Sequence, residues 1–468
     1  MSDRTTQTIQ EFQAVSRNST LAKGAVRIAL LCFFTTRVAL AQDQGDGAND
    51  VPAGSRFAVG TGLRWDYNPE QTPGGDATRT GLTSTLDYSY RWDTQSTALS
   101  LEAGVDYVLG SGSGGLSAPQ MELSFSNETA RTRVTSELHY AEADVSSSTY
   151  GEASDGSIDI ASGSGSVAQS EVKLGFAAGV DMPLSYDLSA QWRKADFSDS
   201  VSTSHFDNET VRGDVRVTAQ VSPMTSLIFD AAHEEFDKDD SIRTGRNSDL
   251  ARISVAQRLD RITVARVGFG HRRMERFSEV EDTENSGVTA TFSLRREHRG
   301  GESLLRYTRD INSVGAWQTL SVGRETQLRD GQFNWSLGVI DTAQGKTEMI
   351  GDLTYRQELR NDYLAFGVTR RYGVNDASED EMANRASLVF DHAFDEVSGV
   401  NARFSTTVLS AISGDDAQYD ARLAYRRDLM AGVSLEAGMR FQVFDEAGED
   451  RTKSGRVFLT LSREFFTR

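Results

Sequence analysis

From about residue 56 to the C-terminus, apolar and polar residues alternate with period two, and Gly, Asp, Asn or Ser punctuate the alternation at short intervals. Phe57, Val59, Thr61, Leu63, Trp65 and Tyr67 fall on one face of the first such segment, and Arg56, Ala58, Gly60, Gly62, Arg64 and Asp66 on the other. Leu82, Leu86, Tyr88, Tyr90 and Trp92 form the apolar face of the next, and Leu99, Leu101, Ala103, Val105 and Tyr107 that of the return. Successive side chains of a strand point to opposite faces, so the pattern predicts β-strands with one apolar and one polar or small face. Later segments carry more charge on the polar face. Arg212, Asp214 and Arg216 oppose Val211, Val215 and Val217, Arg252 and Arg258 oppose Ile253, Val255 and Leu259, and Arg422 and Arg426 oppose Leu423 and Tyr425.

The links sort into two kinds. Short ones recur at Ser222-Pro223, Asp260-Arg261, Gly300-Gly301, Asp330-Gly331, Asn361-Asp362, Asp395-Glu396 and Asp428-Leu429, each suited to a tight hairpin turn. Between them lie mostly longer, more acidic links, at 237–247, 277–284, 373–382 and 445–451, with 310–313 and 342–345 as short exceptions. No stretch of about 18 apolar residues is present, so a membrane could be crossed only by a closed barrel in which every backbone group is paired. One apolar face, one polar face and alternating short and long loops predict an all-β, transmembrane, antiparallel up-and-down barrel of about 22 strands, in a range of about 18 to 26. The barrel is expected over 56–468. Aromatic residues near the strand ends, such as Trp65, Trp92, Tyr107, Tyr363, Tyr372 and Phe444, suit the girdles of a membrane interface.

The N-terminus departs from this pattern. Arg17, Lys23 and Arg27 precede the apolar run Ile28 to Phe34, and Ala39-Leu40-Ala41 follows, which reads as a secretory signal over 1–41 cleaved after Ala41. Residues 42–55 then form a short periplasmic segment. The only cysteine, Cys32, lies within the signal, so the mature chain would have no disulfide or cysteine-based metal site. The formal charge is −19, and loss of five basic and two acidic residues with the signal takes it to −22. Nucleic acid is thereby excluded as a partner, because phosphates demand a basic face. Outer-membrane lipid and lipopolysaccharide are the expected surroundings.

The last segment, with Val457, Leu459, Leu461 and then Phe465-Phe466, resembles the C-terminal signal by which the barrel-assembly machinery recognises Gram-negative outer-membrane barrels; here Thr467-Arg468 follow the aromatic pair. The alternating strands as a whole resemble porins in general pattern, without a diagnostic motif. In porins a long third external loop narrows the pore. The third external loop here, about 144–166, is also the longest and carries Asp144, Glu152, Asp155 and Asp159, which would be the constriction carboxylates if it folds inward. Energised transporters also have about 22 strands, but they carry a large N-terminal plug, and the short 42–55 segment argues for no plug domain.

Catalytic signals are lacking. His139, His205, His233, His271, His298 and His392 are scattered without metal-ligand spacing, no HExxH occurs, and the acidic loop Asp237, Asp239 and Asp240 has no placed His partner. No enzyme, cofactor or metal is expected. The candidates are the charges on the polar face, which would line a lumen: Arg64, Asp66, Arg212, Asp214, Arg216, Arg252, Arg295, Glu297, Arg356, Glu358, Arg403, Arg422, Arg426 and Arg440. Asp66, Asp214, Glu297 and Glu358 lie two positions from an arginine on the same face, which favours bracing of the wall. The resemblance implies a passive channel for small polar or charged solutes. A conduit for secreted exopolysaccharide and a non-conducting structural or adhesive barrel are the alternatives.

Overall fold

The computed structural model describes residues 54–467 apart from 70–73, 111–114, 146–164, 199–205, 280–281, 376–378, 413, 431 and 447–449. The expected signal and periplasmic segments over 1–53 therefore lie outside the described residues. So do Glu152, Asp155 and Asp159 of the third external loop, and His205.

The strands, in chain order, are β1 (Gly54–Tyr67), β2 (Thr78–Asp93), β3 (Thr97–Gly110), β4 (Gly115–Glu128), β5 (Thr132–Asp144), β6 (Ser166–Ala178) and β7 (Leu184–Ser198). There follow β8 (Asn208–Ser222), β9 (Thr225–Lys238), β10 (Gly245–Arg258), β11 (Thr263–Phe277), β12 (Thr283–His298), β13 (Gly301–Ile311), β14 (Ala316–Leu328) and β15 (Gly331–Asp341). The last are β16 (Thr347–Glu358), β17 (Asp362–Val374), β18 (Asp380–Asp395), β19 (Ser398–Ser410), β20 (Asp415–Met430), β21 (Val433–Asp445) and β22 (Thr452–Thr467). Each pairs antiparallel with its neighbours in sequence, and β1 also pairs with β22, so the 22-stranded sheet closes on itself. The ring leaves no edge strand, which satisfies the backbone polar groups without water.

Twenty-two strands about 4.8 Å apart and tilted by about 40° close into a ring roughly 40 Å across. The shortest strands, β13 and β15, have 11 residues. At about 3.3 Å per residue and that tilt they still span roughly 28 Å, enough for an apolar band about 25 Å tall.

Burial is inverted relative to a soluble sheet protein. Leu63 is 61% exposed and Phe269 63%, whereas Asp66, Asp230 and Glu234 are 3%, 6% and 6% exposed. The convex side of a barrel splays its side chains apart and the concave side crowds them together, so the apolar face is the outer one and the charged face lines the lumen. Among the described residues, buried apolar clusters are small: Val145, Val167 and Ala195 with Phe197, and Ala383 with Leu409. Such a continuous apolar exterior far exceeds what a soluble monomer presents. No helix among the described residues is long and apolar enough to cross a membrane.

Most expected turns fall between strands, with two adjustments. The sheet starts at Gly54, two residues before the expected Arg56. The turn expected at Asp428-Leu429 lies after Met430, because a register shift between Asp428 and Met430 carries the ladder further. A second irregularity sits opposite Gly104 and Asp106, where β4 places Ala118 at φ 49° beside Pro119. The bulge accommodates a proline that has no N–H for the ladder.

Candidate functional site: the charged inner wall

The register puts the candidate arginines and carboxylates of each strand on the concave face, and their partners follow from which strand lies alongside. At the closing seam Asp66 accepts a hydrogen bond from Arg456 Nε of β22 at 2.6 Å and lies in an ion pair, at 3.1 Å, with Arg64 of its own strand. Asn68, one turn of the pleat higher, donates Nδ2 to the Lys453 carbonyl at 2.8 Å. Residues nearly four hundred positions apart thus lock the first strand to the last. Nearer the periplasmic end Arg56 pairs with Glu464 at 2.5 Å.

Around the adjoining strands, Arg440 Nε pairs with Asp420 at 2.6 Å, Arg422 with Glu436 at 2.8 Å, and Arg426 Nε with Asp428 at 3.2 Å. The Arg422 guanidinium also stands 5.4 Å from the centre of the Phe458 ring. Phe458 lies on the inner face, where its ring covers Gly438; a Cβ there would come within 2.6 Å of it. Arg403 faces Arg422 across the β19–β20 ladder.

Spacing of two along one strand was expected to set the pairs. It holds for Arg64 with Asp66 and for Arg212 Nη2 with Asp214 at 2.8 Å. Arg295 instead reaches Glu302 on β13 at 3.4 Å, and Glu297 faces Glu302 across the ladder. Arg356 and Glu358 form no ion pair with each other. Leu304 is the direct partner of Arg295, and the register sets Glu302 diagonally beside it, within reach of a long side chain, so the neighbouring strand competes with the spacing along the sequence.

A denser network lies on β8 to β11. Arg212 also meets Glu234 at 3.4 Å, and Arg246 meets the other oxygen of that carboxylate at 3.4 Å. Arg216, Arg252 and Arg266 all contact Asp230. Asp230, Glu234, Arg246, Arg266, Arg456 and Phe458 were not among the expected candidates, although parity along their strands places each on the polar face. By contrast, Asp87, Glu102, Asp106 and Glu122 form an acidic stretch on β2 to β4, none with an ion pair among the described residues. Glu102 and Glu122 are direct partners across the ladder, as are Glu122 and His139.

Three further described histidines have polar partners. His233 Nδ1 lies 2.7 Å from Asp249 on the outer face, His392 Nδ1 2.6 Å from Asp362, and His298 Nε2 2.9 Å from the Ser303 hydroxyl. His392 also packs edge-on to Phe394 at 4.8 Å, in a small aromatic group near the periplasmic ends of β18 to β20. Among the described residues no group of His, Cys, Asp and Glu is arranged to hold a metal ion. Asp144 ends β5, and the link it opens, 145–165, is the longest between strands.

No protein-family model matches this chain. No curated protein matches its sequence. Solved structures do resemble it. The ferric-catecholate import receptor Fiu from E. coli K12 superposes with a TM-score of 0.54 at 9% identity, covering 90% of this chain and 82% of that one. The FrpB iron transporter from Neisseria meningitidis gives 0.53 at 8% identity, covering 89% and 82%. The siderophore receptor PirA from Acinetobacter baumannii gives 0.50 at 8% identity, covering 90% and 81%. At such identities the likeness is one of fold, and the 22 closed strands and the apolar exterior agree with it. The chain has the fold of these receptors, a closed antiparallel β-barrel with an apolar exterior.

Proposed function

We propose that this protein is a passive, unplugged channel for polar or charged solutes. The observation that supports this reading is the inner wall itself: a ring roughly 40 Å across by strand number, faced with charges that include carboxylates without an ion pair among the described residues. Unpaired charges of this kind need hydration, and a hydrated wall around so wide a ring favours a continuous column of water. Between β1 and β22 the longest link is 145–165, and a globular plug needs a segment several times that length. Transit would then depend on size and on the charges of the wall, and no covalent step is assigned.

Export and assembly belong to the same reading. Residues 1–41 would direct secretion, and Leu459, Leu461, Phe465 and Phe466 would serve the assembly machinery. The first three of these present their side chains on the outer face. The purified protein is expected to begin at Gln42 by N-terminal sequencing; retention of Met1 or of the apolar run 28–34 would overturn the signal assignment.

Planar-bilayer recording of the refolded full chain tests the channel. Large, ohmic conductance steps without an energy source are expected. Absence of steps at every voltage would contradict it and favour either a plugged lumen, as iron-chelate import through an energised receptor would require, or a structural barrel. An exopolysaccharide conduit shares the open lumen and differs in cargo.

A further inference from the structure

One place on the inner wall holds more positive charge than its carboxylates neutralise. The Asp230 carboxylate receives three guanidiniums: Arg216 Nε at 2.6 Å from β8, Arg252 Nε at 3.4 Å from β10, and Arg266 Nη2 at 3.0 Å from β11. Arg216 and Arg252 are its direct partners across the two ladders, and Arg266 reaches past β10, touching the Ser254 hydroxyl at 3.5 Å on the way. None of the three makes another ion pair among the described residues. The adjacent carboxylates are engaged elsewhere, Asp214 with Arg212 and Glu234 with Arg212 and Arg246. Asp187 faces Arg216 from β7 without forming an ion pair. Three cations on one anion exceed what bracing requires, because a single arginine would satisfy Asp230.

The wall is also shaped around these groups. Gly270 and Gly268 of β11 stand opposite Arg252 and Ser254. A Cβ at Gly270 would come within 2.8 Å of the Arg252 Cβ, and one at Gly268 within 2.4 Å of the Ser254 hydroxyl. A hollow of about 450 Å³ opens beside them, with Arg133, Arg212, Arg216 and Arg252 in its lining against Asp187, Asp214 and Asp230. Further round the ring, the acidic stretch on β2 to β4 repels anions. An anion in the lumen is therefore driven from one wall toward the other, and guanidiniums are suited to bidentate capture of its oxygens.

We propose that the β8–β11 wall is a binding site for a small solute bearing two or more phosphate or carboxylate groups, with Asp230 holding the Arg216, Arg252 and Arg266 forks in place. The site rests on the channel reading for access to its ligand. Tripolyphosphate is the probe, titrated into the refolded full chain in detergent by calorimetry and added to bilayers as a blocker. Binding is expected to weaken at least tenfold in the Arg216→Gln/Arg266→Gln double variant. Equal affinity in wild type and double variant would overturn the site, as would no binding to the wild type at millimolar probe. A heat-modifiable gel shift verifies that each variant is folded. If the double variant does not fold, Arg266→Lys keeps the charge, loses the fork and should still weaken binding severalfold; unchanged affinity there counts against the site. Calorimetry reads the site whether or not the barrel conducts. Binding without conductance sinks the channel alone, and conductance without binding sinks the site alone.

Discussion

At the periplasmic hairpins a single side chain organises the turn. Asp260 accepts the Ile262 N–H at 2.8 Å on one oxygen and the Thr263 hydroxyl at 3.0 Å on the other. Asp395 accepts the Val397 N–H and the Ser398 hydroxyl on one and the same oxygen, and Thr94 and Thr129 accept from the N–H groups two and three residues on. These are Asx and ST turns, readable as Asp or Thr three positions before Ser or Thr. The backbone hydrogen bond from Ile262, followed by the side-chain bond from Thr263, holds the Asp260 carboxyl below its usual 3.8. A depressed carboxyl pKa contributes stability above the unfolded value, and that contribution is lost as pH falls through the folded one. Protection of the Ile262 amide from hydrogen exchange should therefore persist down to about pH 4 and decline below it. Asp260→Ala should abolish that protection at neutral pH. Full protection in the variant would show that the backbone holds this turn unaided.

Gly438 carries a different constraint at the same scale. Its missing side chain leaves room for the Phe458 ring and for the Leu423 carbonyl, which a Cβ would approach to 2.7 Å. Gly438→Val should cost about 1–3 kcal/mol by overpacking, read as a lower urea midpoint of the heat-modifiable form. A neighbouring phenylalanine on a polar face is the kind of residue that period-two reading passes over, because its burial comes from the strand alongside.

Among the elements, the seam between β1 and β22 bears the closure of the barrel, and Asp66 is the most enclosed carboxylate in it. Asp66→Ala would remove the anion that Arg64 and Arg456 share. Removal of one partner from a buried network costs about 3–5 kcal/mol, and the wet lumen reduces this to roughly 2 kcal/mol. Urea unfolding followed on gels should show that loss, with Asp66→Asn intermediate; an unchanged midpoint would mean that the backbone ladder alone closes the ring. Strands and most turns were legible in the sequence because a half-buried strand writes its period directly into residue type. The ion pairs were only partly legible. Arg64 with Asp66 can be read along one strand, whereas Arg295 with Glu302, or Asp66 with Arg456, depends on registers that no local pattern encodes. The same limit hid the Asp230 network, whose members sit on four different strands, and the carried-over turn at Met430, where a register shift extends the ladder.

For the whole molecule, the assignment of outside and inside can be tested by moving one charge across the sheet. Val368 lies midway along β17 on the apolar face and is 41% exposed, while Thr354 of β16 lies on the polar face opposite Asn334 and Gly367. The two positions belong to neighbouring strands at nearly the same height, since Leu353 pairs with Val368. An arginine at the midplane of the lipid face costs about 2–4 kcal/mol, and one on a hydrated wall between Asp352 and Arg356, whose opposite charges offset each other, should change stability by less than about 0.5 kcal/mol. Val368→Arg should therefore fold poorly into vesicles and lose its heat-modifiable form at lower urea, and Thr354→Arg should behave as the wild type. A soluble β-protein with the same strands would also tolerate Val368→Arg, since that side chain would already be in water. Equal behaviour of the two variants would thus remove the membrane from the account of this barrel, and with it the lumen on which the wall charges act.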